Sequence, residues 1–304
     1  MQDVDLILSL KFSTQAFLEA YMIRKGNNLT RIRGRISKIR TSQIRMRRRI
    51  WQRWNNPTGQ SAPAFLIGCG RSGTSLIVYQ LSKSWQTELY NEDNSAAFYK
   101  WRLRDLEIIE NLIHQSYAKV VLFKPILDTY RINDLLTRFP DAKVLFAYRH
   151  FDDVINSSLK RFGITNRINH VDSWIQEDFR EFAAALPPEA TKAFIRSRWK
   201  PAMNPESGAA LYWLFQNRLY FDLGLDRDER VKLISYEAVV SDPVNEFNSL
   251  CEFLGILYEP LIAEGVFSSS IKRDPPPNVD ADIREDCEEL RRRLTERESL
   301  KNIL

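Results

Sequence analysis

Between Ala64 and Gln80 the sequence reads AFLIGCGRSGTSLIVYQ. An apolar run leads into three glycines set among Arg71, Ser72, Thr74 and Ser75, and a second apolar run follows. That order is a strand, a glycine-rich turn and the start of a helix. Such a junction leaves backbone N–H groups converging on one spot, where the helix dipole favours negative charge. Gly68, Gly70 and Gly73 permit an approach to the backbone that a Cβ would block. Thr74 and Ser75 add hydroxyl donors, and Arg71 adds a fixed cation with several N–H groups. The stretch predicts a phosphate cradle within an α/β unit.

The spacing of Gly68 and Gly73 matches G-x-x-x-x-G-K-[ST], but Thr74 stands in the lysine position and the cation lies three residues earlier, at Arg71. From Ala64 onward, apolar runs and helical patterns alternate. Strands are predicted at 64–69, 86–90, 119–124, 142–149 and 231–236. Helices are predicted at 74–84, 98–116, 130–139, 152–161, 208–222 and 244–254. Val120–Phe123 and Val144–Ala147 are apolar on both faces, as central parallel strands are. The expected fold is α/β: a P-loop-like, doubly wound parallel β-sheet flanked by helices, with ligands at the carboxyl ends of the strands. Residues 162–207, with Pro187-Pro188 and Pro201 to Pro205, read as a less regular insertion over that edge. Residues 279–300 read as a charged, solvated surface helix.

Residues 1–60 form a separate basic arm and linker, and 61–304 the α/β domain. No Asp or Glu occurs between Glu19 and Glu88, while Arg and Lys crowd residues 24–53. Ile32, Ile36, Ile39, Met46 and Ile50 recur there at roughly helical spacing, which predicts a basic amphipathic helix. Two readings stay open: a helix packed on the main domain, or an arm that docks on an anionic surface such as a membrane. The net charge of +5 agrees with anionic ligands. Three widely spaced cysteines and three scattered histidines give neither a disulfide scaffold nor a metal site. The start, MQDVDLILSLKF, has the wrong flank for a secretory signal and is too short to span a bilayer. A cytoplasmic protein is expected, with peripheral membrane contact through 24–53 and no nucleic-acid partner.

A second anion-binding signal lies at the strand ending in Tyr148-Arg149. A helix follows, with Asp152 as its expected N-cap and Ser157 one to two turns in. Arg149 and Ser157 can converge on one anion, separate from the glycine loop. At this point the sequence resembles the sulfotransferases that use 3′-phosphoadenosine 5′-phosphosulfate (PAPS). Gly70-Arg71-Ser72-Gly73-Thr74-Ser75 is similar to that family's 5′-phosphosulfate loop. Phe139 to Arg149, continuing to Asp152-Asp153-Val154 and Ser157, is similar to its 3′-phosphate motif. Leu233-Ile234-Ser235-Tyr236-Glu237, with Asp242-Pro243 and Phe253-Leu254-Gly255, is a third match, and the resemblance implies that Tyr236 lies near the adenine.

The resemblance implies transfer of a sulfonate from PAPS, without metal, to a hydroxyl of a carbohydrate, glycolipid or small molecule. It implies that Gly70, Arg71, Ser72, Gly73, Thr74, Ser75, Arg149, Ser157 and Tyr236 hold the cofactor, joined by Ser270 and Arg273 from a late loop. It assigns Arg71 and Lys124, at the end of KVVLFKP, to charge stabilisation. For the base, Ile126 stands where many members have a histidine, and Glu92 fits the glutamate of carbohydrate-type and bacterial members. Asp128 and Asp93 are rivals. The acceptor pocket falls to 93–105 and 162–222, which are rich in aromatic residues. Two other functions fit the residues alone: an ATP-dependent kinase-like phosphotransferase, or a non-enzymatic anion- or membrane-binding protein with a vestigial loop.

Overall fold

The computed structural model describes residues 43–179, 186–269, 271 and 273–301. The chain divides into two compact units, Met1–Trp51 and Gln52–Leu304. In the first, residues 43–51 are helical, while Ile32, Ile36 and Ile39 of the predicted basic helix lie outside the described residues.

The second unit is built on five parallel strands: β1 (Ala62–Gly68), β2 (Thr87–Tyr90), β5 (Val120–Phe123), β6 (Lys143–Tyr148) and β7 (Val231–Ser235). A separate two-stranded hairpin pairs β3 (Phe98–Tyr99) with β4 (Arg102–Leu103). The sheet order is β2-β5-β1-β6-β7. Successive side chains of a strand enter opposite layers. Phe65 and Ile67 of β1, Val121 and Phe123 of β5, and Val144 and Phe146 of β6 enter one apolar cluster. Their neighbours Leu66, Leu122 and Leu145 enter the other. Both layers are covered by helices, so the architecture is the P-loop-like, doubly wound α/β fold.

The first layer carries α2 (Leu106–His114), α3 (Ile132–Arg138), α4 (Phe151–Phe162), α5 (Asn166–Gln176), α6 (Glu189–Arg198), α7 (Pro205–Asp222) and α10 (Ala281–Lys301). The second carries α1 (Thr74–Leu81), α8 (Tyr236–Ser241) and α9 (Pro243–Leu254). The chain leaves β1 toward β2 on one side and later returns to β6 and β7 on the other. The carboxyl edge around β1 is therefore the crevice where such sheets bind ligands. Register sharpens this: Gly68 lies beside Ala147, and Tyr148 beside Ser235. The loops opening at Cys69, Arg149 and Tyr236 thus start side by side. At Gly68, φ is +120° and a Cβ would fall 2.2 Å from the Ala147 carbonyl oxygen, so only glycine fits.

Four sequence expectations are corrected. Residues 98–105 are not helical. They form the β3–β4 hairpin, because the buried Asp128 carboxylate accepts from the Leu103 N–H at 2.7 Å and pins the hairpin to the turn at Ile126–Arg131. Lys100 and Trp101 at its tip have positive φ. The insertion is regular over α5 and α6, since Val171, Trp174 and Ile195 bury a helical stripe. His150, not Asp152, caps α4: its Nδ1 accepts from Asp152 N at 3.3 Å, and Asp152 pairs with Arg284 at 3.1 Å. Finally, α10 is not simply solvated, because Ile283, Cys287, Leu290 and Leu294 are buried along one face.

The last turns of α10 latch the sheet. Glu298 Oε2 accepts from the Tyr148 hydroxyl and Oε1 from Ser235 N, each at 2.7 Å. Burial pushes the Glu298 carboxyl above its usual range, against the pull of those two donors. Glu298→Ala leaves a hydroxyl and an amide unpaired at two strand ends. The expected loss is about 1–3 kcal/mol in urea unfolding, with Glu298→Gln close to wild type. Equal stability of all three proteins would refute the latch.

Candidate active site

The glycine loop turns on two left-handed residues, Arg71 (φ 75°) and Gly73 (φ 77°). A Cβ on Gly73 would meet the Tyr236 ring at 2.1 Å, so loop and tyrosine can close on each other only through glycine. Helix α1 then starts at Thr74 with no side-chain cap among the described residues and no acidic residue in its first turn. The first N–H groups of a helix lack intrahelical partners, and the helix dipole favours an anion beside them. Ser72 is fully buried, and its Oγ has no hydrogen-bond partner among the described residues. An orphaned hydroxyl inside a glycine cradle fits a bound oxyanion.

Beside the loop lies a cleft of about 560 Å³. The structure brings eight of the sequence-predicted residues to its lining: Arg71, Gly73, Thr74, Ser75, Arg149, Ser157, Tyr236 and Arg273. Arg149 is buried, pairs with Asp153 at 3.1 Å and lies 4.3 Å from the Tyr236 ring centroid. The indole N–H of Trp213 donates to its carbonyl at 3.0 Å, fixing the strand end. The Arg71 side chain crosses to α4 and its Nε donates to Ser157 Oγ at 2.9 Å. Two groups that the sequence assigned to opposite ends of a ligand thus touch each other here. Desolvation, followed by the charges of Arg161, Arg149 and Arg167, holds the Arg71 guanidinium below its usual range.

Sequence reasoning missed Lys160 and Arg161 on the same cleft wall, and Asp274 opposite Lys160. The signal was available, because residues three and four beyond Ser157 share its helix face. Among the described residues, Arg71, Arg161 and Arg273 have no carboxylate partner. The cleft is a cationic socket with room for a nucleotide carrying several negative charges.

The remaining predicted residues lie apart from that lining. Lys124 is buried just after β5, donating to Ser75 Oγ at 3.0 Å and pairing with Glu92 Oε2 at 2.9 Å. Burial pushes the Glu92 carboxyl above its usual range, with Lys124 pulling the other way. Ser75 thus joins the Glu92–Lys124 pair to the loop. Of the rival bases, Asp128 is committed to the hairpin, and Asp93 is exposed and accepts from Asn91 Nδ2 at 2.9 Å. Gly70 faces Arg167, and Ser270 lies outside the described residues. Of the aromatic residues expected around an acceptor, Trp174, Phe179, Tyr212, Trp213 and Phe215 are core, while Tyr99 and Trp101 are exposed on the hairpin. Among the described residues, no cluster of His, Cys, Asp and Glu could hold a metal ion, and no helix is long and apolar enough to cross a membrane.

No curated protein matches this sequence. A sulfotransferase from Alicyclobacillus acidocaldarius aligns with TM-score 0.44 and 18% identity, covering 79% of this chain and 95% of that one. The sulfotransferase domain of the Synechococcus PCC 7002 olefin synthase gives 0.46 and 16%, covering 76% and 94%. A mouse sulfotransferase complexed with PAP gives 0.40 and 17%, covering 70% and 68%. The profile described as the sulfotransferase family matches residues 84–260, which run from β2 through Lys124, Arg149 and Ser157 to beyond Tyr236. With more than half of its length matched, the chain belongs to the sulfotransferase family.

Proposed function

We propose that this protein transfers a sulfonate group from PAPS to a hydroxyl of a carbohydrate, glycolipid or small-molecule acceptor. The observation that carries the reading is the cationic cleft with two anion-binding ends on adjacent strand edges, one at the uncapped start of α1 and one at Arg149. A donor with phosphates on both sides of its ribose needs two such ends, whereas ATP needs one. The donor, when bound, supplies an electrophilic sulfonate and a bisphosphate leaving group.

The chain's own residues do the rest. Gly70–Ser75 offer backbone N–H groups and hydroxyls to the 5′ side, with the Ser72 hydroxyl the buried group awaiting a partner. Arg149, with Ser157, takes the 3′-phosphate, while Tyr236 carries the adenine against the loop. Arg273, which lines the cleft, adds a cation toward the 3′ side. Lys124 supplies positive charge next to Ser75, where the leaving oxygen develops its own charge. Glu92 receives the proton of the acceptor hydroxyl, and the desolvation that raises its pKa makes it a stronger base than a solvated glutamate. The rims of 93–105 and 162–222 receive the acceptor. Residues 24–53 contact an anionic membrane surface, a reading supported by their basic composition and by exposed Ile44, Met46 and Ile50.

The test is calorimetric titration with adenosine 3′,5′-bisphosphate, ADP and ATP in the absence of metal. The bisphosphate is expected to bind at least tenfold tighter than either competitor. ATP binding as well as or better than the bisphosphate would defeat the reading and favour phosphoryl transfer.

A further inference from the structure

Arg167 sits behind the glycine loop, on α5, and is not part of the cleft lining. The residue is more than nine-tenths buried, with 7% exposed. Buried arginines are ordinarily paired with a carboxylate. Arg167 pairs with none among the described residues, and its Nε has no hydrogen-bond partner. Its neighbours are rings instead: the guanidinium carbon lies 3.9 Å from the Tyr212 ring centroid and 4.6 Å from that of Phe162. Aromatic faces hold the plane of the group and partly offset its charge, but they accept no strong hydrogen bond. The open edge faces the loop, where Nη2 lies 3.4 Å from the point a Cβ on Gly70 would occupy. Its field reaches Arg71 and Cys69 on either side of Gly70.

Among the described residues, this buried cation is stacked on rings without a counter-charge and adds to the repulsion on Arg71. We propose that Arg167 is the receptor for a second oxyanion, held at the Gly70 side of the loop and apart from the two phosphate positions of the cleft. The planar fork suits a sulfonate, sulfate ester or carboxylate, each of which presents two oxygens to paired N–H groups. Two sources share that chemistry: the sulfonate of the donor, or an acidic group on the acceptor. The inference rests on the sulfotransferase reading above, and it adds a charge-recognition residue that the glycine loop, Arg149 and Lys124 do not include.

The experiment compares wild type with Arg167→Met by calorimetry, using adenosine 3′,5′-bisphosphate, intact PAPS, and sodium sulfate added to PAPS-loaded protein. Thermal unfolding confirms that the variant is folded. Bisphosphate affinity is expected to stay within about threefold, because Arg167 lies outside the cleft lining. If the donor's sulfonate is the partner, PAPS affinity falls by about tenfold or more while the bisphosphate is unchanged. If an acidic acceptor is the partner, both nucleotides are unchanged and sulfate binding to the loaded protein falls by about tenfold or more. A folded variant that keeps all three affinities overturns the proposal and leaves Arg167 as packing. Should Arg167→Met fail to fold, Arg167→Lys keeps the stem and charge but not the fork. A loss of about threefold or more in the same comparison is then expected, and no loss overturns the proposal. Failure of wild type to bind the bisphosphate defeats the nucleotide reading instead. Sulfate titrated into the nucleotide-free protein and its Arg167→Met variant still decides the role of Arg167.

Discussion

Arg149→Ala is expected to weaken adenosine 3′,5′-bisphosphate binding by about 30- to 4,000-fold, the equivalent of roughly 2–5 kcal/mol for one partner removed from a buried, hydrogen-bonded charge pair. Two effects add. The fork that grips a phosphate is lost, and with it a charge-assisted contact worth about 1.5–3 kcal/mol. Asp153, which faces Arg149 at 3.1 Å and is itself buried, then loses that guanidinium while an incoming phosphate brings a like charge beside it. Arg149→Lys should fall between, since it keeps the charge without the fork. The decisive control is AMP, which lacks the 3′-phosphate and should lose far less. Equal losses for AMP and the bisphosphate would mean that Arg149 holds the nucleotide elsewhere, or merely holds the fold.

Glu92→Gln should lower kcat by about 10²- to 10⁴-fold with donor affinity changed by no more than a few-fold. The amide preserves shape and keeps an oxygen toward Lys124, but it cannot take up a proton. The pH profile supplies the sharper readout. Burial raises the Glu92 carboxyl above the ordinary 4.5, so the free-enzyme acid limb of kcat/KM should lie above that value, with activity rising as pH rises through it. The limb should vanish in Glu92→Gln. Stability runs the other way: the native state holds this proton more tightly than the unfolded chain. Glu92 therefore makes the fold less stable as pH climbs from the unfolded value to the raised one, and Glu92→Gln should flatten that slope. An acid limb unchanged in the variant would shift the base to another group.

The sheet and loop were legible because their causes are local. Gly68 and Gly73 mark positive φ, and β1, β5 and β6 read as apolar on both faces since both layers are covered. The order of Arg71, Arg149 and Tyr236 along the chain became a single cleft because parallel register aligns the three strand ends that precede them. Other features have distant causes. The β3–β4 hairpin hides in a helical pattern because the group that pins it, Asp128, lies 25 residues beyond Leu103. The buried face of α10 is outvoted by its charges, although Ile283, Cys287, Leu290 and Leu294 follow helical spacing. Arg167 reads as one more polar residue on an amphipathic helix. Nothing within α5 announces that Tyr212, from α7, lies under it and that Gly70 lies in front.

The Glu298 latch has a consequence for how the protein is made. Glu298 follows Ser235 by 63 residues and Tyr148 by 150. At about 5–20 residues per second, a ribosome takes roughly 3–13 s to go from the end of β7 to the latch. All five strands are therefore synthesised before the carboxyl ends of β6 and β7 gain their shared carboxylate. The sheet is thus made first, and the strand ends that carry Arg149 and Tyr236 gain this tie only when α10 arrives.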